Sequence, residues 1–359
     1  MGEGERQVMN KYKALIKYEF RSLKWMLLYF LMVCSGVLLW FMGTLEEKRE
    51  SFLEHSEVLY ISNEFGQMLS ETTVFLLIGM VVGLILLVYV QFRDAKNIEV
   101  GRFLKSLPIQ SSHLYWVRMG CGVVTYTLPF LFYTLGIVVL RFYHSSWLND
   151  MYRISIWKDK LLAFESIPYI ALLLVINYLM ITLVYLMLLL MQYLISNRIF
   201  AIIVTAIAMI LPTYFNIMID FRYQVDSYLI FPLAYGRMGS VTGPHLENGE
   251  GVNISYIGDV ELKVCLLFLA IAIVLVLGWL SSKYFMIEDQ GKLIPKPLCR
   301  NIFIVVGTVS MALLPQFYSS GFATFSEVNL VSHVGTIVIL GIVGYMIMYK
   351  ISRIGCKEK

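Results

Sequence analysis

The chain has 359 residues, of which 58% are hydrophobic and 15% charged, with a mean hydropathy of +0.71 and a formal net charge of +4. That balance excludes an ordinary soluble domain and places the chain among integral membrane proteins. Eight stretches of 19 residues or more contain no Asp, Glu, Lys or Arg: 25–45, 72–92, 119–140, 166–197, 199–219, 264–282, 301–326 and 328–349. About 20 residues cross the hydrocarbon as a helix. Lipid offers no water to unpaired amides, and these runs lack the alternation of barrel strands, so all eight are predicted to be helices. The expected fold class is an all-α polytopic membrane protein with about eight transmembrane helices, a six-span core plus two.

Residues 1–24 precede the first span. Met9, Tyr12, Leu15, Ile16 and Phe20 gather near one helical face, with Lys11, Lys13, Lys17 and Arg21 largely on others. This is the pattern of an N-terminal amphipathic helix lying on the inner membrane surface; a solvated basic flank ahead of a span is the plainer reading. Arg6 stands where a myristoylation signal has Ser or Thr, so no lipid anchor is implied. The outer loop 44–71 holds seven glutamates against Lys48 and Arg49. Its Glu54, His55 and Glu57 match no closed coordination set, and no metal is expected. In the second span, Gly79 and Gly83 form a GxxxG that serves either dimerisation or packing within the chain.

Between the second and third runs lies 93–118, RDAKNIEVGRFLKSLPIQSSHLYWVR. Its charges sit on a helix-compatible stretch that ends at Leu107-Pro108, because proline cannot continue a helix and pushes its predecessor out of the helical region. A short helix and a sharp turn suit contact with a soluble partner. Further along, Pro129, Pro212 and Pro315 are candidate bends within spans, and Pro168 is placed to begin the fourth. Asn177, Gln192 and Asn216 are candidates for lining a translocation path; for Asn177 and Gln192, hydrogen bonds between helices are the plainer and favoured reading. The outer loops 141–166 and 220–263 follow the third and fifth runs, the latter with an apolar patch, YLIFPLAYGRM, too short to cross. A cytoplasmic loop 283–300, two further helices within 301–350 and a basic tail 351–359 complete the chain.

With eight crossings, both termini fall on one side. The segments on that side carry 20 Lys+Arg against 8 Asp+Glu, a net +12, and the others 9 against 17, a net −8. By the positive-inside rule both termini are cytoplasmic, and the core 25–282 presents 93–118 to the cytoplasm and 44–71, 141–166 and 220–263 to the outside. The five cysteines show no pairing logic.

Several chemistries have no residues to carry them. The chain contains no GxxxxGK[ST] phosphate loop, no HExxH and no GxSxG elbow. No Asp, Glu, Lys or Arg lies within the eight runs, where ion-coupled transporters hold such groups, and His333, the one imidazole in a run, stands near the outer end of the last span, where an interfacial role is expected rather than a proton relay. The chain is therefore not expected to be an enzyme by itself, to power transport alone, or to bind a cofactor or nucleic acid.

The basic lead-in, the glutamate-rich first outer loop, the segment GRFLKSLPIQSSHLYWVRMGCG and the later KYFMIEDQGK together resemble permeases of the type-2 ATP-binding cassette exporters of Gram-positive bacteria. Exporters of amphipathic cytolytic peptides, the phenol-soluble modulin exporters, are the preferred relatives, with bacteriocin-immunity and bacitracin-resistance permeases close to them. The usual layout has six spans, from which the pair within 301–350 departs. The resemblance implies that 93–118 docks into a separate cytoplasmic ATPase subunit. Glu99, Arg102 and Lys105 would make polar contacts, Phe103, Leu104 and Leu107 the buried part, and Pro108 the end of the docking helix. It further implies a second permease chain, as a homodimer with two ATPases, with ATP and Mg held by the ATPase. The location implied is the bacterial cytoplasmic membrane, and the cargo an amphipathic peptide or other hydrophobic substrate. The alternative is a membrane sensor or immunity protein that binds an antibiotic or peptide through its outer loops without transporting it.

Overall fold

The computed structural model describes residues 3–54, 64–93, 95–96, 111–154, 166–209, 260–283, 294, 297–322 and 330–353. Every regular element among them is a helix: α1 Glu3–Glu54, α2 Glu64–Arg93, α3 Ser111–Tyr143, α4 Ser145–Ile154, α5 Ile167–Leu194, α6 Arg198–Met209, α7 Val260–Lys283, α8 Pro297–Phe322 and α9 Leu330–Ser352. Among the described residues, six stretches are long and apolar enough to cross a bilayer: Lys13–Glu54, Glu71–Arg93, Ser112–Tyr143, Ile167–Leu194, Val264–Lys283 and Gly335–Ser352. These are the mark of a multi-pass membrane protein. The two other predicted spans fall on shorter apolar stretches, Arg198–Met209 for 199–219 and Cys299–Ala312 for 301–326.

The lead-in is not a separate element. Residues 3–24 and the first span form one unbroken helix, and α1 continues to Glu54 in the predicted outer loop. Physically, nothing stops it: no Gly or Pro occurs between Glu5 and Gly36, and Ser22, the one small hydroxyl near the join, returns its proton to Glu19 O within the helix at 2.7 Å. The predicted bend at Pro129 leaves α3 helical from Ser111 to Tyr143.

The chain divides into two compact units. The first comprises 1–91, 117–185 and 235–272. In it α1 and α2 run antiparallel, with Tyr29 Oη donating to Gly79 O at 3.1 Å and the rings of Phe41 and Phe65 5.2 Å apart. Gly79 and Gly83 face Val33, Tyr29 and Phe30 of α1, so the GxxxG makes room for a neighbour in the same chain. Helices α1 and α3 run parallel in near-constant register, pairing Glu19 with Arg118, Phe30 with Tyr126, Leu38 with Gly136 and Glu46 with His144. Helix α5 returns antiparallel to α3 through Tyr126–Thr182 and Thr127–Tyr178 hydroxyl bonds of 3.1 and 2.9 Å. The surface is inverted relative to a soluble bundle: Leu28, Leu31, Met32 and Leu39 of α1 and Leu128, Leu131, Leu135 and Val139 of α3 are exposed, as a lipid-facing surface requires.

The second unit comprises 92–116, 186–234 and 273–359. Tyr193 at the end of α5 lies edge-on to Phe92 (5.0 Å) and Tyr115 (5.7 Å). Tyr115 Oη donates to Leu275 O of α7 at 3.3 Å, over Gly278, where a Cβ would collide with the hydroxyl. Phe200 of α6 meets Phe303 of α8. Helices α8 and α9 pack as an antiparallel pair in which Gly307 faces Met348, Gly341 faces Ala312 and Gly344 faces Met311. Small residues let these backbones approach, which is how apolar helices gain contact when lipid is as apolar as they are.

Candidate functional site

Among the described residues, three clusters of buried polar side chains involve ionisable groups. The first, in the first unit, is an ion pair. Arg118 Nε donates to Glu19 Oε1 at 3.1 Å, and the two side chains are only 4% and 3% exposed. The peptide carbonyl of Arg118 is itself an acceptor, for Gln91 Nε2 at 2.9 Å and Tyr185 Oη at 3.3 Å, and Tyr185 also donates to Gln91 Oε1. Gly122 gives Tyr185 its room, since a Cβ there would overlap the hydroxyl oxygen. One residue from each of α1, α2, α3 and α5 thus closes a single buried network. Glu19 reaches it because Leu15, Glu19, Leu23 and Met26 form the buried seam of α1, at the i, i+4, i+8 and i+11 spacing of one helical face.

The second place, in the second unit, is the turn after α2. Lys96 Nζ donates to Gln192 Oε1 at 2.6 Å and to Ile195 O at 2.7 Å, with its ammonium 5.6 Å from the Phe92 ring centroid. Gln192, wholly buried, donates in turn to Arg198 O at 3.2 Å, and Arg198 Nη1 donates to Arg93 O at 3.3 Å. The C-terminus of α5 is therefore capped by the Lys96 amine, which donates to the Ile195 carbonyl just past the last turn from another part of the chain. Asn197 caps the start of α6 through its Oδ1, which accepts from the amides of Ile199 and Phe200. Burial, and secondarily the positive charge of Arg198, lowers the Lys96 amine from its ordinary 10.5 to about 7.

The third lies at the far end of the first unit. Trp147 Nε1 donates to His144 Nδ1 at 2.9 Å, and His144 Nε2 is 3.8 Å from Glu46 Oε1, while the other oxygen of that carboxylate, Oε2, pairs with Arg49 Nη1 at 3.4 Å. Desolvation lowers the His144 pKa, opposed by the Glu46 carboxylate and reinforced by Arg49. Arg141 is buried with its guanidinium over the Phe65 ring. Some 27 residues of α1 separate Glu19 from Glu46, about 40 Å of helix. That matches a hydrocarbon core with both headgroup layers.

Of the residues predicted for ATPase contact, Glu99, Arg102, Phe103, Leu104, Lys105, Leu107 and Pro108 lie outside the described residues, as do Asn216, His55, Glu57 and the segment 210–259. Gln192 belongs to the Lys96 brace, where both ends of its amide are engaged within the protein. Asn177 Nδ2 donates to Leu173 O of its own helix at 2.9 Å. Glu19, Lys96 and His144 are not among the predicted residues. For Glu19 the signal is present: it is the lone acid among Lys13, Lys17, Arg21 and Lys24, and it falls on the apolar face. Among the described residues no three His, Cys, Asp or Glu side chains come together as a metal site. No protein-family model, curated protein or solved structure matches the chain.

Proposed function

We propose that the chain is the transmembrane permease subunit of an ATP-driven exporter, moving an amphipathic peptide or other hydrophobic substrate with energy from a separate cytoplasmic ATPase. The observation that carries the reading is the anchoring of both flanks of 97–110. Phe92 and Lys96 before it and Tyr115 after it lie in one compact unit, tied to Gln192, Tyr193 and Ile195 of α5 and its end and to Leu275 of α7. A force applied to the intervening segment would be delivered to those helices, which a passive loop does not need. The sequence between the anchors supplies the handle, and the absence of a phosphate loop in the chain assigns ATP and Mg to the partner. In this reading two permease chains pair with two ATPases in the bacterial cytoplasmic membrane, and the chain is itself no enzyme.

The test is copurification from the native host. An ATPase should accompany the wild-type chain, and Leu104→Asp with Leu107→Asp should abolish that association while leaving membrane insertion intact, because truncating or charging the buried part of an interface costs more than trimming its rim. An unchanged yield of the ATPase with this variant would reject the assignment of 93–118. Purification of the wild-type chain with a bound antibiotic or peptide and no ATPase would favour a sensor.

A further inference from the structure

The inner half of α1 carries its charge in one place. Taking 100° per residue, Lys13, Lys17, Arg21 and Lys24 fall within an arc of about 80°, and all four are exposed. Their nearest acid in sequence, Glu19, is turned inward and neutralised by Arg118. Among the described residues, no ion pair engages any of the four cations. Lys24 lies 5.4 Å from the centroid of the exposed Trp25 ring, the kind of residue that sits at headgroup level.

The continuation of this face towards the span decides the ligand. Leu28, Leu31, Leu39 and Met42 lie in the same arc of α1 as the four cations, and all are exposed. The buried seam Leu15, Glu19, Leu23, Met26, Phe30, Cys34 and Phe41 occupies the other side and fixes how the helix is turned. The stripe therefore passes from cationic to uncharged at Lys24–Trp25, with Ser35 the one polar side chain on the arc before Glu46. A soluble acidic protein could match the cations but not the hydrocarbon-facing continuation. At the far end the arc reaches Glu46, a half-exposed carboxylate that would repel an anionic headgroup.

We propose that this face of α1 is a binding site for an anionic phospholipid of the leaflet on the N-terminal side. Its headgroup phosphate rests on Arg21 and Lys24, Lys17 and Lys13 add longer-range attraction, and its acyl chains lie along Leu28 and Leu31. Arg21 offers a planar fork suited to a phosphate, and Lys24 a point charge on a flexible stem. The site is independent of whether the chain is a permease.

The experiment uses the full chain, purified in detergent and exposed to phosphatidylglycerol or phosphatidylcholine, with bound lipid counted by native mass spectrometry. The wild type should retain phosphatidylglycerol preferentially, and raising the salt should erase the preference, since exposed charges are screened within about 10 Å at 0.1 M. Combining Lys13→Gln, Lys17→Gln, Arg21→Gln and Lys24→Gln should reduce retention about tenfold or more, as each basic residue near a membrane surface is worth about a fivefold factor. Exchanging the three lysines for arginine should preserve it. Arg21→Gln with Lys24→Gln provides a milder variant, and Arg300→Gln with Lys350→Gln controls for net charge. Equal retention of the two lipids by the wild type would overturn the proposal. So would a quadruple variant that binds as the wild type does, a charge control that loses as much, or an acidic protein held by the stripe with no lipid preference.

Discussion

Removing Glu19 alone should damage the fold more than removing Glu19 and Arg118 together. The side chains are 3% and 4% exposed and 3.1 Å apart, so both have lost nearly all of their hydration. Two unit charges at that distance attract by about 5 kcal/mol at an effective dielectric of about 20, and desolvation consumes most of that gain. The net worth of the pair against apolar side chains is therefore small. Taking away one member is different, because the remaining charge stays buried without its counter-ion at a cost of about 3–5 kcal/mol. The bonds from Gln91 and Tyr185 go to the peptide oxygen of Arg118 and not to its guanidinium. Glu19→Met should thus destabilise by about 3–5 kcal/mol, Arg118→Met by a similar amount, and the double variant by less than either single change. Reversible unfolding in mixed micelles, followed by far-UV circular dichroism for all four proteins, closes the cycle. Single variants that each cost under about 1 kcal/mol, or a double variant whose cost is the simple sum, would refute the reasoning, since contacting residues in one network do not add.

The other predictions concern the same networks. Gly122→Ala should cost about 1–3 kcal/mol, because its methyl would displace Tyr185 from Gln91 and the Arg118 carbonyl; a melting profile unchanged from wild type would show that the tyrosine yields freely. Lys96 in the folded chain titrates near 7 against 10.5 when unfolded, so between those values the unfolded state carries the extra proton. Stability should rise with pH across that window and fall as pH drops towards 7. Lys96→Met should flatten the slope in a thermal-shift series, and an equal slope in variant and wild type would count against a buried amine. His144 has a folded pKa below its ordinary 6.5, so its contribution is present above 6.5 and lost as pH falls through the folded value. Once protonated, both ring nitrogens are donors, and Nδ1 can no longer accept from Trp147. Acidification should therefore change Trp147 fluorescence in the wild type, and a His144→Gln variant should show no such acid transition.

Hydration sets which parts of this fold are legible in the sequence, and register sets which are not. Charge-free runs mark helices in lipid whatever their neighbours do, because the backbone has no other way to pair its amides there; α2, α3, α5, α7 and α9 appear where such runs stand. The lysines of the lead-in suggest a surface helix, yet nothing in 3–24 halts the helix before the span. Its acid is easily passed over beside four bases, although its place on the Leu15–Leu23 seam marks it as buried. Its partner cannot be found from periodicity, because Arg118 is 99 residues away and only the parallel register of α1 and α3 brings the two together. Gln192 shows the same limit from the other side. Its polarity in an apolar run is visible, but the choice between lining a path and tying helices rests on whether a cation outside the spans reaches it. Lys96 does, binding the amide oxygen while the amide nitrogen donates to Arg198 O, so one lone pair and one N–H of this wholly buried side chain are engaged within the protein.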